Sequence, residues 1–133
     1  MNKKSIIAVI AVFFVWSILD FLVHGLLLAS IYEQTSQLWR PMDQMNDYML
    51  LMYSTNLVYS ICLVLIYQHL ISNKSVCRGV TLGFLIGIAT GYAAGFGSYS
   101  FMPMPLTLAW SWFISMVVMT TIAGLIIGLI IKE

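Results

Sequence analysis

The sequence predicts an all-α integral membrane protein, a four-helix transmembrane bundle with both termini on the same side. Three observations predict it. The composition is 61% hydrophobic and 8% charged, where soluble domains run at about 45–50% and about 25%. Four apolar stretches are each long enough to cross about 30 Å of hydrocarbon, which takes roughly 20 helical residues. Basic residues gather at one end of the resulting topology. Six basic and five acidic residues cannot solvate the surface of a soluble domain, and disorder needs low hydrophobicity and high charge. A net charge of +1 offers no basic face, so nucleic acid is excluded as a partner. The partner that composition implies is the lipid bilayer.

The spans are expected at about 5–30, 41–71, 79–97 and 107–131, within one transmembrane domain covering 1–133. The runs are continuous rather than alternating, which excludes a β-barrel. The first opens like a signal sequence, with Lys3 and Lys4 before an apolar run. Its length and the interrupting Asp20 favour a retained helix. Lys3, Lys4, Lys74, Arg78 and Lys132 fall on one side, and Arg40 alone on the other with Glu33, Asp43 and Asp47. That asymmetry predicts cytoplasmic termini. It also predicts a cytoplasmic turn over Ser72–Arg78 and an outer loop over Ile31–Asp47, with Trp39, Tyr48, Tyr99, Phe101 and Trp110 as an outer aromatic belt.

The second span begins near Pro41, which suits a first helical position. Met42, Met45, Met49, Met52, Asn56, Tyr59 and Leu63 recur at spacings of three and four, so they share one face. The methionines read as adaptable packing or as a soft-metal face suited to Cu(I).

The third span carries Gly79, Gly83, Gly87, Gly91 and Gly95, and the fourth carries Gly124 and Gly128. Each helical glycine costs about 0.8–1.0 kcal/mol against alanine in water. The return in lipid is close backbone approach, within the bundle, to a second copy or to another protein.

Asp20 lies in mid-span, where a carboxylate costs about 2.5–3.5 kcal/mol on the insertion scale. His24 lies one turn outward and Ser17 one turn inward. Counting inward at about 1.5 Å per residue puts Asp20 level with Asn56, Gly87 and Met116. His24 comes nearer Met52, Tyr92 and Ser111 or Ser115. Asp20, His24, Asn56 and Tyr92 are thus a candidate proton or cation site. His24, Met49, Met52 and Met116 are a candidate metal set. The alternatives are a plain hydrogen-bond network, or an Asp20 that meets another subunit's charge.

His69 lies toward the opposite face from His24, which disfavours a bis-histidine haem, and no cofactor is expected. Cys62 and Cys77 form no paired motif. No phosphate-binding, hydrolase or zinc signature occurs.

The segment from Tyr32 through Trp39-Arg40-Pro41, the stretch Tyr99 through Pro105, and the closing Gly124-Leu-Ile-Ile-Gly128-Leu-Ile carry a resemblance. With the four-span layout, they resemble the small bacterial inner-membrane proteins of unknown function. The resemblance implies topology and a bacterial cytoplasmic membrane, and no site residues. Mercury-transport proteins of similar size rely on paired membrane cysteines, which this chain lacks. The expected function is a non-enzymatic accessory or structural subunit of a larger inner-membrane complex. The alternative is a small transporter, channel or metal-handling protein using Asp20 and His24 and the methionine stripe.

Overall fold

A computed structural model describes residues 2–132. It is 88% helical, with no strand among the described residues. Four helices are long and apolar enough to cross a membrane: α1 (Lys3–Leu27), α2 (Met42–Leu70), α3 (Val76–Phe101) and α4 (Leu106–Ile131).

Their limits follow from local chemistry. Asn2 caps α1 by accepting from the Ser5 N–H at 2.9 Å. The helix stops at Leu28, earlier than hydropathy alone suggests, and a short helix Ala29–Gln34 follows. Pro41 sits just outside α2, its carbonyl accepting from the Met45 N–H at 3.0 Å. The third helix begins at Val76 rather than near Gly79, because the Ser75 hydroxyl caps it by accepting from the Arg78 N–H at 3.3 Å. A serine cap satisfies amides that the first helical turn leaves open. The connection before it is tied down twice. Tyr67 donates to the Ser75 carbonyl at 2.8 Å, and Arg78 donates to the Ser72 carbonyl at 2.6 Å.

α3 and α4 make the most extensive contact in the molecule. Gly79, Gly83, Gly87 and Gly91 are buried, with α4 backbone where side chains would otherwise stand. A Cβ on Gly83 would land on the Thr120 carbonyl, and one on Gly87 would lie 2.8 Å from the Val117 Cα. The relation is reciprocal, since a Cβ on Gly124 would strike the Gly79 carbonyl. Gly97, by contrast, faces open space.

Two clusters of buried side chains lie at different levels. The larger joins Ala8, Val9, Val12 and Trp16 of α1 to Leu63, Val64 and Tyr67 of α2 and to Met119, Ala123, Ile127 and Ile131 of α4. The smaller, at the opposite end, gathers Leu28, Met104, Leu108 and Ala109 under Tyr32, Trp39 and Trp112. The segment between α1 and α2, expected as an ordered loop, is largely helical. Thr35 organises it, donating to the Ile31 carbonyl at 2.7 Å and accepting from Trp39 Nε1 at 2.9 Å.

α2 is buried at one end and bare at the other. Leu63 is in the core and Tyr59 packs on Trp16 with ring centroids 4.8 Å apart. Toward the other end, five consecutive residues from Met49 to Tyr53 are all exposed, Leu50 at 83%. Five consecutive residues cover every face of a helix, so this stretch has no side covered by its own chain. The methionine face is therefore not packing filler within the chain: Met42, Met49 and Met52 are exposed.

Candidate functional site

α1 does not remain an α-helix to its end. From Phe21 to Leu27 it widens into a π-helix, closed by the Leu28 N–H donating to the Val23 carbonyl at 2.9 Å. α3 does the same from Ala93 to Gly97. Such single-turn π segments re-aim side chains and recur at functional sites. Here both border one cavity of about 210 Å³, to which His24 comes from the first segment and Ala94 from the second. Trp16 and Asp20 of α1 and Trp112, Ser115, Met116 and Met119 of α4 complete its wall. The cavity lies between the two buried clusters, with Trp16 and Met119 from one and Trp112 bordering the other.

The polar groups form an ordered chain. Trp112 Nε1 lies 2.7 Å from the Tyr32 hydroxyl, which lies 2.6 Å from His24 Nδ1. An indole N–H only donates, so the Tyr32 oxygen accepts it, and the same hydroxyl shares one proton with His24 Nδ1. The other ring nitrogen, Nε2, faces Asp20 Oδ1 at 3.7 Å. The gap exceeds a formed hydrogen bond, so Asp20 and His24 are neighbours that a small movement, a proton or a bound group would join. Aromatic faces hold the arrangement: His24 stacks on Tyr32 at 5.9 Å, and Tyr32 meets Trp39 edge-on at 5.4 Å. Burial pushes the Tyr32 phenol up to about 12, with the Trp112 hydrogen bond opposing the shift and the nearby Asp20 charge adding to it. Tyr32 therefore stays protonated across the physiological range.

The side chains of Asp20 and His24 are 39% and 38% exposed. Both lie within the α1 span, where uncovered polar groups are costly. One turn inward, the buried Ser17 hydroxyl has no hydrogen-bond partner within the described residues. Most helical hydroxyls bond a carbonyl one turn back, so this oxygen is an exception on the same polar stripe.

Of the residues the sequence nominates, the cavity brings together Asp20, His24 and Met116. Asn56, Tyr92, Met49 and Met52 do not line it. Asn56 is half-buried, and its carbonyl accepts from the Ser60 hydroxyl at 2.8 Å. Tyr92 is 61% exposed and packs on Phe96 with centroids 5.0 Å apart. Counting residues gives depth but not direction. Gly91 faces α4, and Tyr92, about 100° further round at 3.6 residues per turn, meets the Phe113 ring edge-on at 6.2 Å instead of entering the cavity. Among the described residues no three His, Cys, Asp or Glu side chains converge.

Sequence reasoning missed Tyr32, Trp112, Trp16 and Met119. Tyr32 reaches His24 only because the chain breaks at Leu28, and no periodicity marks that break. No protein-family model matches the chain, and no curated protein or solved structure is significantly similar to it.

Proposed function

We propose that the chain is a non-enzymatic accessory subunit of a larger assembly in the bacterial inner membrane. In this reading it is a four-helix bundle with both termini cytoplasmic, as the split of five basic residues against one supports. The glycine-lined α3–α4 pair is its rigid half. The observation that carries the proposal is the uncovered Asp20–His24 pair within the α1 span. A second supports it: the Met49–Tyr53 turn of α2 is bare and apolar on every side. A partner's transmembrane helix presenting a basic or hydrogen-bond-donating side chain to Asp20 would relieve the first, and its apolar flank would cover the second. Asp20 is the residue whose charge needs an answer, and His24 holds its orientation through Tyr32.

Native mass of the protein extracted in mild detergent tests this. The expected result is a stable complex with other membrane proteins that Asp20→Leu dissociates and Leu85→Ala, on the exposed side of α3, leaves intact. A protein that runs alone in mild detergent overturns it.

The second reading is a small proton- or cation-handling protein, favoured by the cavity and the Trp112–Tyr32–His24–Asp20 chain. It expects a homo-oligomer whose Asp20→Asn variant folds normally and loses ion binding. The metal version of this reading reduces to His24 with Met116 and Met119, the sulfur-bearing residues on the cavity.

A further inference from the structure

At the opposite end of the molecule lies a second concavity, of about 320 Å³, where α1 begins and α2 and α4 end. Its wall combines Lys4, Lys74 and Lys132 with His69, Asn2 and Gln68, and Ile131 closes it on the core side. Four of the chain's five acidic residues, Asp20, Glu33, Asp43 and Asp47, belong to the rest of the molecule. Only Glu133, outside the described residues, adjoins this end in sequence.

Helix polarity accounts for part of this charge. Lys132 follows α4, where a cation meets the negative end of the helix dipole. Lys4 is the reverse case. It stands in the first turn of α1, where the dipole disfavours a cation, yet it joins the others around one cavity. The floor is polar and fixed. Ser5 is fully buried, and its hydroxyl contacts Asn2 and Gln68. Because Asn2 Oδ1 accepts from the Ser5 N–H, the amide nitrogen of Asn2 remains as a donor. The ammonium groups of Lys4 and Lys132 and the Asn2 amide N–H₂ around a confined volume are the donors that a phosphate oxygen cluster takes up. The exposed apolar Leu70 adjoins His69, and the concavity sits at the ends of three membrane-spanning helices. That is the level of lipid headgroups, and basic pockets between such helices take anionic ones.

We propose that this concavity binds the phosphate of an anionic phospholipid. The shared chemistry is a phosphate group, and the lipid source follows from the depth of the site.

Native mass spectrometry of the full chain in detergent, titrated with phosphatidylglycerol or phosphatidylcholine, tests it. The expected preference for phosphatidylglycerol is about tenfold, equivalent to about 1.4 kcal/mol. Lys4→Gln with Lys132→Gln should abolish that preference. Lys3→Gln with Arg40→Gln removes the same charge outside the cavity wall and should preserve it. Lys4 and Lys132 are exposed, so the fold tolerates their neutralisation, and matched thermal unfolding checks this. Equal preference for the two lipids overturns the proposal. Equal loss in the two double variants overturns it as well, since the effect is then general surface charge. Displacement of the lipid by excess inorganic phosphate overturns the lipid assignment in favour of a soluble anion.

Discussion

Tyr32 is the residue on which the polar network at the aromatic end turns, since its hydroxyl is shared by Trp112 and His24. Tyr32→Phe keeps the ring contacts and strands a buried indole N–H, a loss of about 1–3 kcal/mol that thermal unfolding would read. The same variant has a signature in pH. A phenol whose folded pKa is raised contributes stability that is fully present below its ordinary value near 10. That contribution is lost as pH rises toward the folded value of about 12. Ultraviolet titration of the native protein should therefore show tyrosine ionisation extending to about 12, and Tyr32→Phe should shrink that late component by one tyrosine. A wild-type titration without that late component would contradict the buried network. Asp20 separates the two functional readings. Asp20→Asn keeps an accepting oxygen and removes the charge, so an accessory subunit should still assemble but hold its partner more weakly, while an ion-handling protein should assemble normally and lose its ion. Of these residues, Asp20 and His24 were legible in the sequence because polar groups are expensive in a hydrophobic run. Tyr32 and Trp112 were not, because amphipathic aromatics at a membrane boundary are ordinary and their meeting depends on the turn at Leu28.

At the level of elements, the four long apolar helices were legible because hydrocarbon thickness fixes their length. Their ends were less so: hydropathy does not register the Ser75 cap that starts α3 early, nor the π turns that re-aim His24 and Ala94. Depth was legible and direction was not, which is why Tyr92 and Asn56 share a level with the cavity without lining it. The contact between α3 and α4 makes a sharp prediction. Gly83→Ala puts a methyl on the Thr120 carbonyl, a rigid neighbour, and overpacking of this kind costs about 1–3 kcal/mol. Gly87→Leu should be more severe. Gly97→Ala, facing open space, and Val80→Leu should leave thermal stability near wild type. If Gly83→Ala melts with Gly97→Ala, the backbone approach is looser than the structure has it.

For the molecule as a whole, the two ends differ in chemistry. One carries the lysine-lined concavity, and the other carries the aromatic cluster around Trp39 and Trp112. The proposed orientation assigns the first to the cytoplasm. In a background with Cys62 and Cys77, both exposed, replaced by serine, a membrane-impermeant thiol reagent added outside should label Ser36→Cys and spare Ser72→Cys. The reverse pattern would invert the orientation and with it the leaflet of the proposed lipid site.

The glycine contact between α3 and α4 also sets an order of events. These helices are neighbours in sequence, joined by a short turn, so little chain entropy opposes their meeting. Their contact is mostly backbone against backbone, with the side chains of Thr120 and Met116 against Gly87 and Gly91, and needs little side-chain rearrangement. The pair should form first, as a hairpin that α1 and the inner end of α2 then join. Because α3 and α4 emerge from the ribosome after α1 and α2, the earlier helices await them. Native-state hydrogen exchange should preserve that history, with the slowest amides in α3 and α4 facing each other. The fastest span amides should lie from Met49 to Tyr53, the turn that nothing in its own chain holds.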